Sequence, residues 1–339
     1  MSLIALVFLW PERIRAVEPR TTSKGMEKMT HLTIGVDVAK NTLQAHRLTD
    51  GSGRSFANTP AGHKALLDWI GKADTRVVFE PTGPYHRAFE QALARAGVGL
   101  IKVNPRQARR FAEASGRLAK NDRVDAAMLA HMGAVLELEP RPVASQAMAE
   151  LKQLNVARQG LVRERTATSN RAKTLTLPLL KKLNAARTRQ IAAQIAAVEA
   201  AIRTRIMDEP ELARRLAVLV SIPGVSEITA FALLIDMPEL GSLEAKQAAS
   251  LAGLAPRVRQ SGRWTGHAFI RGGRAGLRRA LYMPALAAAR CNPEFKAKYR
   301  QLTTAGKPAK LALTALMRKL IVLANALLKA DRTWSLKPT

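Results

Sequence analysis

Short runs that alternate apolar and polar residues fill the first part of the chain. Leu32 to Ala39, Thr42 to Thr49 and Arg54 to Asn58 read as three strands, the last two joined by the turn Asp50-Gly51-Ser52-Gly53. A period-3.6 stretch follows at Ala61 to Lys72, with Leu66, Leu67 and Ile70 on one face. A strand at Arg76 to Glu80 is closed by Pro81-Thr82-Gly83-Pro84, then a helix at Tyr85 to Ala96 leads to a strand at Gly99 to Val103. Three meandering strands followed by strand and helix in alternation predict a mixed sheet with helices on its faces.

After Pro140-Arg141-Pro142 the pattern changes. Met148 to Lys173 and Asn184 to Met207 read as long helices separated by Pro178, and Ile191, Ile195, Val198, Ile202 and Ile206 repeat at a 4-3-4-4 spacing. This is a structural helical hairpin, with a coiled-coil arm that pairs protomers as its functional form. Leu219 to Leu234 then reads as two short helices joined by Ile222-Pro223-Gly224-Val225, a helix-hairpin-helix-like signature whose turn amides suit a nucleic-acid phosphate. Ser226 stands where such turns usually place a second glycine.

Composition supports helix beyond the first hundred residues: 47% of the 339 residues are hydrophobic but only 4% aromatic. Lys and Arg number 54 against 26 Asp and Glu, a net charge of +28, with a pI near 11.2. Such a field favours a polyanion, nucleic acid before a membrane surface, since no acyl-anchor motif accompanies a basic amphipathic segment. One cysteine, Cys291, excludes an internal disulfide framework and a cysteine-based zinc finger, and a reducing cytoplasmic compartment is the default. Leu3 to Trp10 is apolar but too short to span a bilayer, and it lacks the basic stretch that opens a secretory signal. Residues 1–30 are expected to be a flexible or mis-started extension without chemistry, with Met26 and Met29 just before the first strand.

Against this basic background a few acids fall at meaningful places. Asp37 lies at or near the end of the first strand and Glu80 at the end of its own, so both reach one edge of the sheet. Asp122 and Asp125 open a helix at i and i+3, on one face. The plain reading of that pair is helix capping. Taken with the strand-end acids, four converging carboxylates would repel unless divalent cations neutralised them, and all-oxygen ligands suit Mg²⁺ or Mn²⁺. Metal-assisted phosphodiester chemistry is the sharper reading.

Leu251 to Arg290 carries the second cluster. Arg257, Arg259, Arg263, Arg271, Arg274, Arg278 and Arg279 surround a Gly-rich turn that bears Ser261, while Leu277, Leu281 and Leu286 direct a helix into a core. A Ser-Gly pair is most often only a turn, but arginines there would lower the cost of charge building on a phosphate. Tyr282 is a competing hydroxyl whose apolar neighbours favour a core role.

Together I-G-V-D-V-A-K, F-E-P-T-G, K-N-D-R-V-D-A, I-P-G-V and S-G-x-x-x-G-x-x-x-I-R-x-G-x-x-x-L-R-x-x-L-Y-x-x-A resemble the DEDD insertion-sequence transposases of family 110, relatives of the Piv-type DNA invertases. The resemblance covers roughly residues 32–330. It implies a RuvC-like domain of the ribonuclease H fold over residues 31–142, with Asp37, Glu80, Asp122 and Asp125 holding Mg²⁺. It further implies a coiled-coil connector over 143–210 and a mostly helical transposase domain over 211–335. Ser261 would be the nucleophile, transiently linked to DNA, with Arg257, Arg259, Arg263, Arg271, Arg274, Arg278 and Gly224 as nucleic-acid contacts. Implied partners are donor and target DNA, a structured bridge RNA encoded by the element, and further copies of the chain in a dimer or tetramer. The setting would be a bacterial cytoplasm, at the nucleoid. The chain departs from the family pattern in its N-terminal extension and at Ser226. Two other functions fit part of the pattern: a metal-dependent hydrolytic nuclease resembling junction resolvases, in which Ser261 is only a turn residue, and a non-enzymatic nucleic-acid-binding protein.

Overall fold

The computed structural model describes residues 32–71, 74–116, 121–143 and 145–335. The chain divides into two compact units, Met1–Val143 and Ala144–Thr339. The N-terminal extension and Lys120 lie outside the described residues.

In the first unit, β1 (Leu32–Val38), β2 (Thr42–Arg47), β3 (Gly53–Ala57), β4 (Thr75–Phe79) and β5 (Gly99–Lys102) form one sheet in the order β3-β2-β1-β4-β5. β1, β2 and β3 are antiparallel neighbours, and β1, β4 and β5 run parallel. This is the mixed sheet expected from the pattern, and it is consistent with a ribonuclease H-like domain. Period-2 alternation sorts β1 into two faces. Ile34, Val36 and Val38 pack with Leu66 and Ile70 of α1 (Pro60–Ile70) and with Phe89 and Leu93 of α2 (His86–Arg95). On the other face Val78, Ile101 and Val103 meet Ala108 of α3 (Pro105–Ala114) and Met128, Leu129 and Met132 of α4 (Asp122–Val135).

Gly35 explains how closely α4 lies on β1. A Cβ at Gly35 would stand 1.9 Å from the Ala126 carbonyl oxygen and 2.5 Å from the Ala130 amide nitrogen. Only a residue without a side chain lets the helix backbone rest on the strand there.

The second unit begins with an antiparallel pair, α5 (Gln146–Ala172) and α6 (Pro178–Met207). Arg158 pairs with Glu199 at 2.7 Å and Arg205 with Glu150 at 2.9 Å across the pair. Pro178 does not separate the helices as expected. It is the first residue of α6, where a missing N–H costs no hydrogen bond. Leu151, Ile202 and Ile206 at the base of the pair join the core made by α7 (Pro210–Val220), α8 (Glu227–Asp236), α9 (Ala245–Leu251), α10 (Ala275–Cys291), α11 (Pro293–Thr304) and α12 (Ala309–Lys329). Among the described residues α12 alone is long and apolar enough to cross a membrane, yet Leu316, Leu320, Ile321 and Ala324 are buried in this core.

Two features of α10 differ from expectation. Its buried face runs through Leu277, Leu281, Ala285 and Ala288, so Tyr282 points off it and is 42% exposed, and Leu286 is only half-buried. A core role for Tyr282 is therefore overturned: its place one residue past Leu281 turns it about 100° around the helix.

Candidate active site

The four acids come from three elements of the first unit. Val36 of β1 is in register with Phe79 of β4, so the next residues along these parallel strands are Asp37 and Glu80. Both follow the face that carries Gly35 and Val78, on which α4 lies. The first turn of α4 carries Asp122 and Asp125.

Neither aspartate is the N-cap, although both stand in the first turn, where the helix dipole favours acids. The N-cap is Asn121, whose side-chain oxygen accepts a hydrogen bond from the Val124 amide at 2.8 Å. Asp122 is exposed and Asp125 half-buried on the same face.

Asp37 registers the gathering of charge. Its carboxyl is pushed up to about 6 from an ordinary 3.8, first by burial and then by the negative charges of Asp122, Asp125 and Glu80, against a backbone hydrogen bond at Val38 that acts to lower it. The four carboxylates thus share one electrostatic neighbourhood. Among the described residues no three His, Cys, Asp or Glu side chains stand close enough to enclose an ion as they are. The acids are gathered without forming a finished coordination shell. Their all-oxygen donor chemistry and mutual repulsion still fit a hard divalent cation.

A positioning residue escaped the sequence reading. Asn58, just past β3, donates from Nδ2 to the Ala39 carbonyl at 2.9 Å and to the Tyr85 carbonyl at 3.1 Å, and its Oδ1 lies 2.8 Å from His63 Nε2. It ties the end of the Asp37 strand to the loop that follows Glu80. A lone Asn after a strand carries no sequence signal for such a role, although its place in a polar turn before a helix is the kind of position where side chains bond backbone.

Ser261 lies in the second unit on an exposed ribbon. Pro256 and Arg257 (β6) pair with Phe269 and Ile270 (β9), and Gln260 and Ser261 (β7) pair with Trp264 and Thr265 (β8) around the two-residue loop Gly262-Arg263. Arg257, Arg259, Arg263 and Arg271 are exposed with Ser261, and the Arg259 guanidinium sits 5.8 Å from the Phe269 ring centroid.

Two arginines expected to contact nucleic acid are occupied inside the unit. Arg274 forms a fork on Glu239, with two bonds of 2.7 Å, and also donates to the Asp236 carbonyl at 2.9 Å. Glu239 raises its already high pKa further. Arg278 donates to the Gly272 carbonyl and is half-buried. Both brace the base of the ribbon, and the Arg274 guanidinium is already forked on a carboxylate of its own unit. The sequence could not distinguish Arg274 from its exposed neighbours because Glu239 is 35 residues away. Gly224 also has an internal explanation: it has φ +94°, and a Cβ there would lie 2.8 Å from the Ala288 amide nitrogen of α10. Ser226 is the N-cap of α8, its hydroxyl accepting from the Thr229 amide at 3.4 Å, which gives the serine in place of glycine a structural use.

A DEDD-type acid cluster on a mixed sheet, followed by a helical unit with a basic serine ribbon, corresponds to known families. Residues 34–179 match a DEDD transposase family and residues 216–300 match a family described as "Transposase IS116/IS110/IS902 family". The chain is 30% identical over 322 residues to the pilin gene-inverting protein of Moraxella lacunata, spanning 90% of this chain and 98% of that one, and equally so to its counterpart in Moraxella bovis. It is also 36% identical over 114 residues to the insertion element IS110 uncharacterized 43.6 kDa protein of Streptomyces coelicolor, over 33% of this chain and 28% of that one. Fold, site and matches define a DNA transposase/recombinase, an enzyme whose substrates are DNA and whose DEDD domain uses a divalent metal. The chain belongs to the IS116/IS110/IS902 family of transposases.

Proposed function

We propose that this enzyme cuts and rejoins DNA through a covalent link to Ser261, assisted by Mg²⁺ held by Asp37, Glu80, Asp122 and Asp125. The exposed hydroxyl of Ser261 on an arginine-rich ribbon supports the reading best. Its Oγ forms a bond to phosphorus as the bond from phosphorus to a deoxyribose oxygen breaks, and the serine proton passes overall to that leaving oxygen. Attack by the hydroxyl of a second strand reverses the step, so the phosphoester energy is retained for joining. Arg257, Arg259, Arg263 and Arg271 offset the charge that builds on the phosphate. Bound Mg²⁺ would supply Lewis-acid polarisation of phosphate oxygens. In the acid cluster, Asp37 and Glu80 are fixed by adjacent strands, Asp122 and Asp125 by the Asn121-capped turn.

The reading takes residues 31–142 as the acidic domain, 143–210 as the arm and 211–335 as the serine domain. Target choice is assigned to base pairing with an element-encoded bridge RNA, since exposed arginines bind phosphate without reading sequence. The working form is an oligomer, a dimer or tetramer joined through the α5–α6 arm. The likeness to pilin gene-inverting proteins makes site-specific inversion a further outcome of the same strand exchange.

The test is covalent trapping with purified protein, RNA transcribed from the flanking element, Mg²⁺ and labelled donor and target DNA, resolved on a denaturing gel. A protein–DNA adduct is expected with the wild type and absent with Ser261→Ala and with Asp122→Ala. Cleavage that survives in Ser261→Ala and is lost in Asp122→Ala would reassign the activity to hydrolysis.

A further inference from the structure

The ribbon presents, beside the serine, a side chain that the proposed chemistry leaves unused. Trp264 is the cross-strand partner of Ser261 and is 58% exposed. It belongs to none of the buried clusters among the described residues. Its ring nevertheless packs on the ribbon's own backbone. The six-membered ring of the indole lies against Gly266, where a Cβ would come within 2.3 Å of Cη2 and 2.9 Å of Cζ2 and Cζ3. The second glycine of the S-G-x-x-x-G pattern thus makes room for a residue at a position that the pattern itself leaves open.

An exposed, seated aromatic ring marks a contact surface, and its surroundings indicate the partner. From Pro256 to Gly273 the chain has no Asp or Glu and carries Arg257, Arg259, Arg263 and Arg271. Aromatic rings set among arginines are the composition of a surface that binds nucleic acid by stacking and backbone charge together. Stacking needs a base whose face is open, which excludes a fully paired duplex. We propose that Trp264 is a stacking platform for an unpaired DNA base next to the phosphate that Ser261 attacks, and so fixes the reacting strand relative to the nucleophile. The proposal rests on the serine reading for the identity of that phosphate, and its test is separable from it.

The experiment uses the full chain with Ser261→Ala, which binds without reacting. Affinity is measured by anisotropy for a labelled mixed-sequence single-stranded DNA, the same sequence as duplex DNA, and the same sequence as single-stranded RNA, at about 0.3 M salt to suppress backbone-only binding. Adding Trp264→Ala is expected to weaken single-stranded DNA about tenfold, leave the duplex unchanged and leave the salt slope unchanged, because no charge is removed. Trp264→Phe is expected to retain most of the affinity, which guards against a folding defect. Single-stranded DNA bearing 5-iodouracil is expected to photocross-link to the peptide that contains Trp264. Equal losses on single strand and duplex, a larger loss on RNA than on DNA, or weakened self-association with unchanged DNA affinity would each overturn the proposal. If the stack is confirmed while the wild type forms no covalent adduct, the serine reading fails and the binding site stands.

Discussion

Asp37 concentrates the electrostatics of the acidic site in one residue. Its folded carboxyl holds its proton up to about pH 6, whereas its ordinary value is 3.8. A carboxyl raised in this way favours the folded state only while protonated, so its contribution to stability falls as pH rises from about 4 to about 6. Asp37→Asn is therefore expected to raise the Tm measured in chelator at about pH 7.5, by the equivalent of about 1 kcal/mol once solvent screening is allowed for, and the gain should close by about pH 4.5. Adding Mg²⁺ at the higher pH should reverse the order, since a ligand that binds the folded state stabilises the protein able to hold it. A Tm difference independent of pH would argue against charge crowding.

Arg274 makes the opposite case, a charge already satisfied. Removing it leaves Glu239 without its fork, and Arg274→Ala is expected to cost about 1–3 kcal/mol in urea unfolding. The salt slope of DNA binding should not change. Arg271→Ala is expected to do the reverse: little change in stability, and a slope reduced by about one.

Among the elements, α4 decides the site. Its position depends on Gly35, because the helix backbone lies where a Cβ at that one residue would be. Gly35→Ala is expected to destabilise the first unit by about 1–3 kcal/mol and to abolish metal-dependent cleavage, by lifting Asp122 and Asp125 away from Asp37. Asn121→Ala is expected to cost about 1 kcal/mol as a lost cap, while Asp122→Asn stops cleavage without that loss. Equal destabilisation by the two would return Asp122 to a capping role. In the second unit the helices brace the ribbon that they do not cover: Arg274 and Arg278 secure its base and leave Ser261 and Trp264 exposed.

At the scale of the whole molecule, the two units have separate hydrophobic cores, one set on the sheet and one among the helices. Calorimetry is expected to resolve two transitions, with added Mg²⁺ raising the one that Gly35→Ala lowers and leaving the other in place. The net charge of +28 makes DNA affinity steeply salt-dependent in either unit's variants.

The mixed sheet was legible because period-2 alternation, Gly and Pro punctuation and the strand-end acids are local signals, and β1 to β5 fall within a residue or two of the expected strands. The long helices of the arm were legible for the same reason, although Pro178 read as a break where it begins α6. Asp37, Glu80, Asp122 and Asp125 could be nominated from their places at strand ends and on one helical turn. Which atoms meet is set by contacts between residues far apart in the chain. Parallel register placed Glu80 beside Asp37, and a missing side chain at Gly35 brought α4 down onto the strand. An ion pair with Glu239 engaged the Arg274 guanidinium within its own unit, and a one-residue turn around α10 put Tyr282 into solvent. Local pattern reports which way a residue faces within its own element, whereas its partners depend on how elements pack, and only the tertiary structure carries that.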